Sequence, residues 1–143
     1  EEMKIKYQAI VFASDNKEEI KKTIKSLVSQ KIPPQYIVLA RKPSCKYGPR
    51  ELAGTMGSNC KDIPWRIQNL LEAFVTDREA LDIIVSTEPK PYFGVFYAGF
   101  EVPDDTFEQI NKAITEDLEE KIEEDECLEN IIPISKICPN FPL

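Results

Sequence analysis

Apolar positions run without a break through Ala9-Ile10-Val11-Phe12-Ala13, inside a strand candidate that spans Ile5 to Ala13. Continuity rather than alternation predicts burial on both faces, as in a parallel sheet. The period then changes. Ile20, Ile24, Leu27 and Val28 recur at helical spacing, with lysines on the opposite face. Asp15 with Glu18, or Asn16 with Glu19, supplies a capping-box start. Pro33-Pro34 forbids continuation beyond about Gln30, and Tyr36 to Ala40 is a second apolar stretch. Strand, helix and strand in this order predict a βαβ unit with a right-handed crossover. Ligands of open α/β sheets bind at the carboxyl ends of the strands. Ala13-Ser14-Asp15 and Arg41-Lys42-Pro43-Ser44 therefore form the predicted rim.

Residues 42–62 are rich in proline, glycine and small polar side chains and predict a long loop, with at most a helical turn at Arg50 to Ala53. Pro64 to Phe74 reads as a helix, because proline suits a first helical position and Ile67, Leu70, Leu71 and Phe74 share a face. Leu81 to Ser86 and Tyr92 to Phe100 read as strands. Pro103-Asp104-Asp105 opens another helix, whose apolar stripe is Phe107, Ile110, Ile114, Leu118 and Ile122. The acids near its C-terminal end oppose the helix dipole, so fraying is expected after about Ile122. Ile131 to Ile137 is a last strand candidate.

Composition narrows the class. With 143 residues, 42% apolar and 30% charged, the chain suits one soluble globular domain over residues 1–143. No apolar run reaches the length of a membrane span, and no signal peptide is visible. The net charge of −7 argues against nucleic acid as a partner. The acids concentrate between Glu116 and Glu126, which reads as a solvated helix face. A local basic cluster lies at Arg41, Lys42, Lys46 and Arg50. The chain has no histidine, and its four cysteines form no Cys-x-x-Cys pair. This removes the common zinc patterns, the Ser-His-Asp triad and the Cys-His dyad. Free thiols in a reducing, cytoplasmic-like environment are the expected state. Neither a Gly-x-Gly-x-x-Gly string nor a phosphate-loop Gly-Lys-Ser/Thr string occurs.

Three strings carry a resemblance. "AIVFASDNKEEIKKTIKSLVSQKIPPQYIVLA" has the strand, polar turn, helix with Ser-Leu-x-x-Gln spacing, proline loop and strand of the family 2 glycosyltransferases. "PWRIQNLLEAF" is similar to the segment that precedes their central strand. "YFGVFYAGFEVPDDTFEQI" is similar to the central strand, the Val-Pro step and the following helix. The chain thus resembles the nucleotide-binding half of a GT-A domain over roughly residues 5 to 122. The resemblance implies an α/β three-layer sandwich, Rossmann-like, with a mostly parallel open sheet between helices. The family's acceptor half and catalytic base lie further along the chain, so a truncated or minimal version is expected.

The departures from the family bear on chemistry. Its second strand ends in acids that hold the base and ribose; here those places fall on Ala40 and Arg41. Its Asp-x-Asp motif holds a divalent metal that bridges the donor phosphates; here those places fall on about Tyr97 and Gly99, with Glu101 the nearest carboxylate. Candidate binding residues are Ser14, Asp15, Arg41, Lys42, Asn69, Tyr97 and Glu101. Each has an ordinary reading beside the functional one. Ser14 and Asp15 suit helix capping, and Arg41 and Lys42 suit an exposed loop as well as direct phosphate neutralisation. Asn69 suits a helix surface, Tyr97 the core, and Glu101 a solvated position. The expected function is a non-catalytic glycosyltransferase-like binding or structural module without a cofactor. Its partners would be a nucleotide sugar, a glycan, a protein or a larger parent chain. The alternative is an active nucleotide-sugar transferase with an atypical donor site, for which Mn²⁺ or Mg²⁺ becomes relevant. An unrelated α/β domain is the third reading.

Overall fold

The continuous apolar run forms the strand β1, Tyr7–Phe12, every residue of which is buried. The structure is a computed structural model and describes residues 6–70, 76–87 and 92–124. After β1 come α1 (Lys17–Val28), β2 (Tyr36–Arg41), α2 (Pro49–Asn59) and β3 (Trp65–Asn69). Then follow α3 (Asp77–Thr87), β4 (Tyr92–Tyr97) and α4 (Thr106–Glu124). The strands form one four-stranded sheet in the order β3-β2-β1-β4. Every pairing is parallel, with Phe12 level with Ala40 on one side and with Tyr97 on the other. This is the expected α/β sandwich, a parallel sheet flanked by helices.

Alternation along the strands divides the core in two. Tyr7, Ala9 and Val11 face the same way as Ile37 and Leu39, and pack with Ile20, Ile24 and Leu27 of α1, Leu52 and Met56 of α2, and Phe107 and Ile110 of α4. Ile10, Phe12, Val38 and Ala40 face the other way and pack with Ala80 and Ile84 of α3. Helices α1, α2 and α4 therefore lie on one face and α3 on the other. Right-handed crossovers require this when the direction of strand addition reverses. The reversal leaves β1 between β2 and β4, so the carboxyl end of β1 is the topological switch point.

Three expectations are corrected. Residues 42–62 contain the 11-residue helix α2, with Pro49 in its first turn and Leu52, Thr55 and Met56 on its buried face. Trp65–Asn69 is a strand, not the start of a helix. Trp65 and Ile67 both pack on the α1 side, the period-two placement of a strand. Leu81 to Ser86 lies inside α3, not in a strand. The segment Leu71 to Phe74 and the strand candidate Ile131 to Ile137 lie outside the described residues.

Helix α4 is anchored through its first turn. Phe107 stacks on Tyr7, with ring centroids 3.8 Å apart, and meets Phe96 edge-on at 5.9 Å. Gly94 makes room for it: a Cβ there would fall 2.8 Å from Phe107 Cζ. The Tyr7 hydroxyl donates to Ile32 O at 2.7 Å, and burial raises its pKa above the ordinary phenol range.

Candidate functional site

A cleft of about 290 Å³ opens at the switch point, lined by Phe12, Ala13 and Ser14 after β1, Ala40 and Lys42 after β2, and Tyr97 and Ala98 at the end of β4. Asp77, the first residue of α3, closes it. The strand ends are fixed by backbone bonds: Ala13 N donates to Ala40 O at 3.0 Å and Ala98 N to Phe12 O at 3.1 Å. The floor is aromatic, with the rings of Phe12 and Tyr97 stacked at 5.3 Å.

Asp77 is the centre of the polar wall. Lys42 Nζ donates to its Oδ1 at 2.8 Å, and the Tyr97 hydroxyl donates to its Oδ2 at 2.7 Å. These two bonds, the Lys42 bond first, hold the Asp77 carboxyl below its ordinary pKa. Burial and then the Asp77 carboxylate push the Tyr97 phenol up to about 12. At neutral pH the wall is a carboxylate, an ammonium and a protonated phenol.

Asp77 sits there because Thr76 and Glu79 form a reciprocal capping box. Glu79 N donates to Thr76 Oγ1 at 3.2 Å, and Thr76 N donates to Glu79 Oε1 at 3.2 Å. The string Thr-Asp-Arg-Glu carried that signal in the sequence. The β-branched Ile83-Ile84-Val85 run competes with it by favouring a strand.

Of the seven predicted residues, Ser14, Lys42 and Tyr97 meet in the cleft. Asp15 does not cap α1. The cap is Asn16, whose side chain accepts from Glu18 N at 2.9 Å and Glu19 N at 3.3 Å. Asp15 instead accepts from Lys46 N at 2.7 Å and ties down the loop after β2. Ser14 does not cap the helix with its side chain either: its hydroxyl donates to Glu19 Oε1 at 3.0 Å and accepts from Asn16 N at 3.2 Å. Arg41 and Asn69 are neighbours across β2 and β3. The Arg41 guanidinium turns to them and to the loop, with Nε donating to Tyr47 O at 2.7 Å and Nη1 to Asn69 Oδ1 at 3.4 Å.

Glu101 lies apart, in a groove of about 580 Å³ between α1 and the β4–α4 connection, opposite Lys22 at 3.9 Å. This groove is larger than the cleft, but its Lys22–Glu101 pair is mostly exposed to solvent. The donor set at the end of β4 does not fit a divalent ion. Tyr97 is bonded to Asp77, Gly99 has no side chain, and Glu101 and Asp104 belong to the α1 groove. Among the described residues no three His, Cys, Asp or Glu side chains are grouped to hold a metal. Cys45 and Cys60 are free thiols, and burial raises the Cys60 pKa to about 11. No described helix is long and apolar enough to cross a membrane.

No protein-family model matches the chain, and no curated protein is significantly similar to it.

Proposed function

We propose that the chain is a glycosyltransferase-like binding module that holds a sugar-bearing ligand, a nucleotide sugar or a glycan, without catalysing transfer. One observation carries the reading: Ser14, Lys42, Tyr97 and Asp77 converge from four separate segments on one cleft at the switch point. Open α/β sheets bind their ligands at this point. The strand resembling the family's central strand ends here beside β1, with Tyr97 level with Phe12. The pair of metal-holding carboxylates of that family has no counterpart at the end of β4, and the one carboxylate lining the cleft, Asp77, is bonded to Lys42 and Tyr97, so the phosphate chemistry of transfer lacks its usual support.

Thermal denaturation with a panel of UDP- and GDP-sugars, each with and without Mn²⁺, tests this. The expected result is stabilisation by at least one sugar nucleotide to the same extent in both conditions, with no sugar transferred to water or to added acceptors. Stabilisation that requires Mn²⁺ and accompanies turnover would establish an enzyme instead. No stabilisation by any member of the panel, nor by free hexoses and short glycans added in the same assay, would remove the reading.

A further inference from the structure

The cleft has a chemistry of its own. Its volume of about 290 Å³ is at the lower end of the roughly 300–1,000 Å³ usual for ligand pockets. That is room for one ring, not for a complete nucleoside diphosphate sugar. Its formal charges cancel, because the Lys42 ammonium and the Asp77 carboxylate are in contact at 2.8 Å. The next cation along the chain, Arg41, is turned away to Tyr47 O and Asn69. The positive end of the α3 dipole is already matched by Asp77 and Glu79 in the first turn. Nothing in this balance favours a phosphate, which offers only acceptors and two negative charges.

Hydroxyl groups fit the balance better, since each both donates and accepts. A carboxylate has about four lone-pair sites and an ammonium three protons. Asp77 uses one site on each oxygen, for Lys42 and Tyr97, and so keeps acceptor capacity on both. Lys42 keeps donors, and Ser14 lines the cleft with its hydroxyl proton given to Glu19 Oε1, so Lys42 is the principal donor. Beneath them, Phe12, Ala13, Ala40 and Ala98 give an apolar floor suited to the C–H face of a ring.

We infer that the cleft takes a single neutral sugar ring through its hydroxyls, with Asp77 as principal acceptor and Lys42 as donor, and that phosphate groups stay outside it. The inference rests on the sugar-binding reading above and specifies which part of the ligand enters.

Backbone amide NMR shifts on titration with free glucose, galactose, mannose and N-acetylglucosamine, and separately with UDP and inorganic phosphate, test it. At least one free sugar should shift the amides of Ser14, Asp77 and Ala98, with UDP and phosphate leaving them unmoved. Asp77→Ala should weaken that sugar at least tenfold, and Tyr97→Phe should weaken it less. The amide spectrum itself reports whether each variant is folded; Lys42→Met is the substitute if Asp77→Ala is not. Shifts at these amides with UDP or phosphate but with no free sugar would overturn the inference and leave nucleotide binding standing. Silence with every free sugar and with UDP would overturn both.

Discussion

Gln30, at the end of α1, holds the start of α4 through Phe107. Its Oε1 accepts from Phe107 N at 3.2 Å, while its Nε2 donates to Pro103 O at 2.6 Å. Thr23 and Ser26 continue the same ladder down α1. Thr23 Oγ1 accepts from Gly99 N at 2.9 Å and donates to Phe100 O at 2.8 Å, and Ser26 Oγ accepts from Val102 N at 3.0 Å. Three polar side chains, two on α1 and one just past its C-cap, thus satisfy much of the irregular backbone from Gly99 to Phe107, which would otherwise leave orphan groups inside the protein. The Ser-Leu-x-x-Gln spacing acquires a physical role here: serine and glutamine hold the connection while Leu27 fills the core.

Gln30→Leu keeps most of the volume and removes both ends of the amide. It leaves the buried Phe107 N–H without its acceptor, at a cost of about 2–4 kcal/mol with the carbonyls included. Urea unfolding should show a lower midpoint with an unchanged slope. A loss under about 0.5 kcal/mol would mean that water or a rearranged turn replaces the glutamine.

Two glycines of the same region are required for different reasons. Gly99 has φ of +104°, and a Cβ there would come 3.3 Å from Glu19 Oε2. Gly99→Ala should cost about 1–2 kcal/mol through backbone strain. Gly94 has ordinary backbone, but its missing Cβ is the space shared by the Phe107 and Phe96 rings, each 2.8 Å from where it would fall. Gly94→Ala should cost about 1–3 kcal/mol by overpacking. Combining it with Phe107→Leu should recover part of that loss, which alanine at Gly99 would not show. Denaturant midpoints of the single and double variants separate the two mechanisms.

Asn16, not its neighbour Asp15, begins α1. Asn16→Ala should cost about 1 kcal/mol, because Glu18 N and Glu19 N lose their acceptor. Asp15→Ala should leave the helix capped and instead speed hydrogen exchange at Lys46 N, the amide it holds. Equal stability loss in both variants, with no change in exchange at Lys46, would contradict this division of roles.

How much of this was legible beforehand depended on whether a local signal agreed with the global one. At β1, α1 and β2 they agreed: the continuous run, the capping string and Pro33-Pro34 specify the βαβ unit by themselves. At α3 they conflicted. The β-branched Ile83-Ile84-Val85 favours a strand, but Ala80 and Ile84 sit one helical turn apart and both belong to the core cluster that holds Ile10 and Val38. The capping box at Thr76 tips the balance. At β3 the spacing of Ile67 and Leu70 imitates a helix, and only the sheet edge beside β2 shows which period is real. Helix α2 is hidden by Gly54 and Gly57, which weaken helix propensity and favour a loop. The cleft was half legible. Strand ends point to Ser14 and Lys42, and the resemblance to the family's central strand points to Tyr97, but Asp77 requires knowing where α3 starts.

That network gives stability a defined pH dependence. The Asp77 pKa is depressed in the folded chain, by the Lys42 bond first and the Tyr97 bond second. A depressed carboxyl contributes stability that is present above its unfolded pKa and is lost as pH falls through the folded one. Asp77 and Lys42 are each more than a third exposed, at 39% and 37%, so solvent screening limits the contribution to within about 1 kcal/mol. Tyr97 has the opposite sign: its phenol is raised to about 12 by burial first and Asp77 second, so its contribution is full below 10.0 and is lost as pH climbs through 12. Wild type should therefore exceed Asp77→Asn in stability at neutral pH, and the gap should close on acidification below the ordinary carboxyl range. In the same variant the Tyr97 phenol should ionise nearer its ordinary value, because a neutral amide no longer opposes the phenolate. Urea midpoints across acid pH, and phenolate absorbance in alkali with Tyr97→Phe subtracted, measure the two ends. A gap that widens with acid, or a Tyr97 titration that ignores the variant, would show that the carboxylate does not hold the hydroxyl and the ammonium together in solution.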